Sequence, residues 1–270
     1  MIDIRAINIY PVKSCRGIPL ETANVGITGL LDDRHWMMVR PNGRFVTQRE
    51  LPRMALIETR VDAEGLTLGA PGMQALQVRR GAGGETLDVT VWKFTGRGID
   101  CGAAAAEWCT RYLGTPLRLV QFDPDTPREC SPDWTQGIRA ITEFSDGFPI
   151  LVISLASLAG LNSRLGSALP MERFRPNIVI DGVEAHDEDR MHELRADGVT
   201  LRMVKPCLRC SITTTDQQTG TLDGVEPLAT LKSYRYDREL KGVAFGQNAI
   251  VAAGVGGVLG VGQSLTATWK

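Results

Sequence analysis

Residues 205–220 read KPCLRCSITTTDQQTG, and the assignment of the whole chain turns on the two cysteines in that stretch, Cys207 and Cys210. A C-x-x-C pair fits half of a zinc site, a redox disulfide, a single thiolate holding a softer metal, or two plain buried cysteines. Zinc usually takes a second pair of ligands. The other cysteines, Cys15, Cys101, Cys109 and Cys130, form none, and His35, His186 and His192 lack finger spacing. His186 and His192 stand in HDEDRMHE, which reads as a solvated acidic loop. A dithiol oxidoreductase places its pair at the start of a helix, where the dipole lowers the thiol pKa. The Ser-Ile-Thr-Thr-Thr that follows Cys210 favours strand or loop instead. Lys205 and Arg209 flank the pair, and cations beside a thiol favour the thiolate, the form that ligates metal. They also suit an anionic cofactor that brings the metal's other ligands with it.

Working outward, 270 residues allow one large or two small domains. A hydrophobic share of 43% and a charged share of 23% are ordinary for a globular protein, and a net charge of −1 points to neither nucleic acid nor an anionic membrane. Six cysteines in this length make no disulfide framework, and the opening residues 1–10 carry Asp3 and Arg5 in place of an apolar leader. No apolar run of roughly 18 residues occurs. The expected setting is therefore the cytoplasm, with no membrane span.

The chain reads as many short strands punctuated by turns. Partial alternation marks residues 2–10 as a first strand, ended by Pro11, and a second follows at 20–27. Asn42-Gly43 between apolar runs signals a hairpin of 35–39 with 44–47, and 54–61 with 66–68 reads as another. Further strands are expected at 76–78, 86–92 and 117–122. The one clear helix of this half is 102–113, with Asp100 or Cys101 near its N-cap and Gly114 beyond its end. Residues 123–137, polar and holding three prolines, read as a linker or mobile loop. Beyond it come a strand at 149–154, a helix at 155–165 capped by Ser154, and a strand at 177–180. Residues 199–204 lead into the cysteine pair, 211–215 are β-prone, and a short helix at 227–234 with strands at 249–253 and 265–269 completes the pattern. The fold class expected is mainly β with a few helices, as two β-barrel-like domains, 1–122 and 123–270.

Several motifs in order carry a resemblance. Tyr10-Pro11-Val12-Lys13-Ser14-Cys15-Arg16-Gly17, Asp33-Arg34-His35-Trp36 and Asp100-Cys101-Gly102 lie in the first half. Asn162-Ser163-Arg164-Leu165, Phe174-Arg175-Pro176-Asn177 and Cys207-Leu208-Arg209-Cys210 with Thr213, Thr214, Asp216 and Thr219-Gly220 follow, then Pro227-Leu228 and Phe245-Gly246-Gln247. Together they resemble the MOSC superfamily of molybdenum-cofactor-binding proteins, in its two-part form with a β-rich N-terminal domain, over almost the whole chain. The chain departs from the pattern at Asp216-Gln217-Gln218-Thr219-Gly220, where the family often has D-P-D-T-G. It departs again at Asn248, where animal members have an aromatic residue, and at Gly147 and Phe148, where they have hydroxyl residues.

The resemblance implies a noncovalently bound molybdenum cofactor (Mo-molybdopterin), with Cys210 as metal ligand and catalytic residue. It implies cofactor contacts from Lys13, Ser14, Arg34, Asp146, Arg175, Asn177, Arg209 and Asn248. Lys13, Arg34 and Arg175 suit a phosphate tail, whereas Ser14, Asp146, Asn177 and Asn248 offer donors and acceptors to a pterin edge. Each also has a plainer reading: Arg34 as a surface charge, Asn177 as a strand start, Asp146 as turn chemistry. The implied activity is reduction of N-hydroxylated small molecules (hydroxylamines, amidoximes, N-hydroxylated bases). No cysteine follows Cys210 to hold a C-terminal iron–sulfur cluster, so electrons are expected from a separate ferredoxin-, flavin- or haem-type donor protein. The alternative is a non-enzymatic carrier or sulfur-transfer module for the same cofactor.

Overall fold

Seven strands close into a barrel in the computed structural model, which describes residues 1–81 and 84–270. Around the ring they run Ile150–Ser154, Ile178–Asp181, Ile2–Ile9, Ser264–Trp269, Met191–Ala196, Val199–Leu208 and Gly242–Ala253, the last pairing back to Ile150–Ser154. Closure leaves no exposed edge in the ring. The one parallel pairing, Ile150–Ser154 with Ile178–Asp181, needs a crossover. The helix Leu155–Asn162 provides it, and the Ser154 hydroxyl caps that helix by accepting from the Ser157 N–H at 3.0 Å.

Inward-facing side chains fill the barrel with Ile4, Ile7, Val152, Ile178, Ile180, Leu194, Leu201, Met203 and Ala249 among others. Ile4 and Ile7 are three residues apart, which regular alternation would send to opposite faces; a bulge between Ile4 and Ala6 turns both inward. The register of Val199–Leu208 against Gly242–Ala253 also slips, on either side of Pro206. Proline has no N–H to give a central ladder, so the strand bends there, just before Cys207.

The N-terminal half forms a half-barrel sheet of Trp36–Val39, Arg118–Phe122, Phe94–Asp100 and Thr86–Val91. Smaller sheets are Glu58–Val61, Gly65–Gly69 and Leu76–Arg79, and Val258–Gly260, Thr22–Gly26 and Gly29–Leu30. The helix Ala103–Leu113 lays Ala105, Trp108, Cys109 and Tyr112 on a core with Trp36, Met38 and Leu119, and Gly114 ends it in left-handed backbone. The mainly β fold with few helices matches the expectation.

Local readings fail in four places. Residues 54–56 belong to the 3-10 turn Pro52–Leu56, opened by its proline, and the strand begins only at Glu58. Residues 123–137 are built structure: Arg128–Glu129 pairs with Ile141–Thr142 around the short helix Pro132–Thr135, and Asp123 and Arg128 are buried. The acidic HDEDRMHE is no solvated loop. Its Glu188 is buried beneath the hydroxyls of Ser154 and Ser157, which donate at 2.9 and 2.6 Å, and Met191–Ala196 is a barrel stave. Burial pushes the Glu188 carboxyl up, against those donors. Residues 211–214 form a 3-10 turn in place of a strand. The Thr213 and Thr214 hydroxyls donate to the carbonyls three residues back, at 2.9 and 2.8 Å, and that local bonding outweighs their β propensity.

Candidate functional site

Past Pro206 the strand Val199–Leu208 runs out of the barrel and delivers Cys207 and then Cys210 to a cleft between the two halves. The same cleft is lined by Lys13, Ser14, Arg34, Asp146, Arg175, Asn177, Arg209 and Asn248, so all nine residues singled out in the sequence surround one cavity. Gly147 and Phe148, two of the points of departure, line it as well.

The two cysteines are unequal. The Cys207 sulfur accepts from Arg209 Nη1 at 2.9 Å, while Arg209 Nη2 donates to the Phe174 carbonyl at 2.7 Å. The Cys210 sulfur faces the cavity with Arg49 Nη1 3.7 Å away. All six cysteines are free thiols, and among the described residues no cluster of three or more His, Cys, Asp or Glu could hold a metal. The other four differ in kind: burial pushes the Cys15 thiol far up, those of Cys101 and Cys109 to about 12, and that of Cys130 to about 11. They are inert packing groups.

The opposite wall is cationic. Lys13 is 5% exposed and donates to the Phe144 carbonyl at 2.8 Å and to Asp146 Oδ1 at 2.6 Å. Burial lowers its pKa, and nearby Arg128 and Arg34 work the same way against the pull of Asp146. Asp146 sits at the mouth, its side chain 60% open to solvent. Crowding by protein opposes its charge, but Lys13 and the Trp92 indole outweigh that and hold the carboxyl well below the usual range.

Arg34 and Arg175 share one aromatic ring, their guanidinium carbons 4.4 and 4.2 Å from the Tyr10 centroid. A Cβ on Gly17 would lie 2.5 Å from that ring, so only glycine lets Tyr10 occupy its place. Burial raises the Tyr10 pKa to about 12. Arg34 pairs with Asp33 and donates to Asn177 Oδ1 at 2.9 Å. The Asn177 amide is also used by the Leu151 N–H and the Asn8 carbonyl, at 3.1 Å each. Asn177 thus lines the cavity as a brace for Arg34, with its hydrogen bonds already committed to protein. Arg175 is buried, its Nη2 has no protein partner, and burial with the neighbouring Arg34 lowers its pKa to about 10. Ser14, Arg34 and Arg175 all hold left-handed backbone, with φ of 67°, 53° and 56°. Such strain in non-glycine residues clusters where binding is built.

This wall fits an anionic cofactor on its own terms. A buried guanidinium with an orphaned nitrogen, next to a second guanidinium and an ammonium, is unfavourable until an anion arrives. A phosphate supplies the missing acceptors and charge.

Sequence reading missed the residues that join the walls. Gln48 donates to the Ser14 carbonyl at 2.8 Å, and Gln217 donates to Gln48 Oε1 at 2.9 Å. Gln217 is one of the departures in D-Q-Q-T-G; it fastens the cysteine segment to the Lys13-Ser14 loop. Asp216 is structural too, capping the Gln218 and Thr219 N–H groups and pairing with Arg173. Arg49 and Trp92 lie in no recognisable motif, and only their neighbours in space reveal them.

Residues 1–116 match the MOSC N-terminal beta barrel domain and residues 140–266 match the MOSC domain. Mitochondrial amidoxime reducing component 2 of Rattus norvegicus is 40% identical over 238 residues, 84% of this chain and 70% of the rat protein. Mitochondrial amidoxime-reducing component 1 of Homo sapiens is 39% identical over 254 residues, 88% of this chain and 75% of the human one.

Proposed function

This chain belongs to the MOSC family, and from that premise we propose that it is a reductase of N-hydroxylated compounds using a molybdenum cofactor held through Cys210. The observation that carries the reading is one cavity with a free cysteine sulfur on one wall and, on the other, the buried Arg175 guanidinium, which has no protein partner at Nη2, beside Lys13 and Arg34. The names of the relatives, which describe amidoxime reduction, point to the same chemistry.

In this reading Lys13, Arg34 and Arg175 hold the phosphate tail. Tyr10 and Asn177 keep the two guanidinium groups aimed. Ser14, Arg209 and Asn248 face the pterin, and Asn248 has its carbonyl oxygen to offer because its Nδ2 is turned to the Lys205 carbonyl at 3.2 Å. Bound there, the cofactor supplies a two-electron reduction in which an N-hydroxyl compound, two electrons and two protons become the N–H compound and water. The electrons come from a separate donor protein of ferredoxin, flavin or haem type. Residues 1–122 bring the Lys13 and Arg34 side of the cavity, and residues 123–270 bring Cys210 and Arg175. Six free thiols suit a reducing compartment, the cytoplasm in this reading, whereas the named relatives are mitochondrial. No helix among the described residues is long and apolar enough to cross a membrane.

The test is metal content and turnover in protein made by cells that synthesise the cofactor. About one molybdenum per chain is expected, with reduction of hydroxylamine or an amidoxime by an artificial donor. Zinc or no metal overturns the reading, and molybdenum without turnover favours the carrier. Cys210→Ala should abolish metal retention and activity. Cys207→Ala should be milder, because that sulfur is already engaged by Arg209.

A further inference from the structure

Trp92 occupies the two-residue turn between Thr86–Val91 and Phe94–Asp100, in left-handed backbone with φ of 56°. Glycine or asparagine suits such a position far better than an indole. The ring is nevertheless fixed by three contacts. Its Nε1 donates to Asp146 Oδ1 at 3.0 Å, Phe45 meets it edge-on at 5.2 Å, and the Arg49 guanidinium lies 4.5 Å from its centroid. Asp146 is the carboxylate that grips Lys13, and Arg49 reaches to 3.7 Å from the Cys210 sulfur. A strained tryptophan is thereby wired to both walls of the cleft. It remains 49% exposed with all these contacts made, so ring surface is left for a ligand. A large aromatic already held rigid binds a flat partner with little entropy left to lose, and the adjacent guanidinium adds a second planar, hydrogen-bonding surface.

We propose that Trp92 and Arg49 form a recognition shelf at the mouth of the Cys210 cleft. The shelf selects N-hydroxylated compounds that carry a flat conjugated group, such as aromatic amidoximes, over small hydroxylamines. That selectivity rests on the reductase reading, but the shelf itself is testable without turnover.

Two measurements on the full-length protein with its cofactor decide it. The first is kcat/KM for benzamidoxime divided by that for hydroxylamine. This ratio should fall about tenfold in Trp92→Ala, mainly through KM for benzamidoxime, and recover in Trp92→Phe. Arg49→Ala should lower the same ratio. A merely structural role would depress both substrates together, and an unchanged ratio overturns the shelf. The second is calorimetric titration with benzamidoxime, in which the native protein should bind several-fold more tightly than Trp92→Ala. Equal binding overturns the shelf. If the native protein turns over neither compound, the reductase reading fails, and the titration still decides whether the shelf exists.

Discussion

The barrel interior and the cleft beside it are built on opposite terms. Inside the barrel the side chains are apolar, and each stave is paired on both sides with only local bulges in its register. At the cleft the backbone is left-handed at Ser14, Arg34 and Arg175, and an arginine nitrogen is buried without a partner. One region supplies the stability, and the other stores strain and unmet charge against it. A protein that binds an anion tightly needs both, because the cost of confining like charges must be borne by a scaffold that does not yield.

That contrast can be broken most directly at the first strand. Ile4→Ala empties a fully buried site in the barrel and should cost about 2–5 kcal/mol in denaturant unfolding. A loss below about 1 kcal/mol would show that residues 2–9 are not an essential stave.

At the cleft the sign should reverse. Arg175→Ala removes an unpaired buried cation, so it should leave the metal-free protein as stable or more so in thermal unfolding. It should also weaken binding of inorganic pyrophosphate about 10–100-fold in a calorimetric titration, the range for a lost charge-assisted hydrogen bond. Destabilisation with unchanged anion affinity would place Arg175 in the scaffold instead. The pH dependence sharpens the point. The folded-state pKa values of Lys13 and Arg175 lie below their ordinary values, that of Arg175 at about 10. Between the lowered and ordinary values the unfolded chain binds more protons, so the metal-free protein should gain stability as pH rises through that window. Pyrophosphate affinity should fall over the same window, because the anion is attracted only to the charged forms. Stability and affinity curves of parallel slope would refute this assignment.

The smallest effect concerns the seam between the regions. Gln48 and Gln217 exchange amide hydrogen bonds across 169 residues of chain. A double-mutant cycle with Gln48→Ala and Gln217→Ala should return a coupling of about 0.5–1.5 kcal/mol in unfolding free energy. Zero coupling would mean that the cysteine segment holds its place without them.

Local physics was legible in the sequence wherever neighbours along the chain decide conformation. The alanine-rich helix stopped by Gly114, the Ser154 cap and the hairpin turn at Asp62–Gly65 are of this kind. The family resemblance also implied nine residues, and these line one cavity. Readings failed where burial overrules composition. The acids of HDEDRMHE look solvated until Ser154 and Ser157 are found above Glu188. The threonines after Cys210 look β-prone until their hydroxyls turn back on the chain.

By itself, then, the sequence determined the mainly β character, the helix capped by Ser154 and the helix stopped by Gly114, because each depends on residues a few positions apart. Only the tertiary structure decided that the first strand closes a barrel made otherwise from residues 150–269. Only it brought Arg49 to the Cys210 sulfur and Trp92 to Asp146. Those approaches depend on strand register and ring closure between distant parts of the chain, and no periodicity or local spacing encodes them.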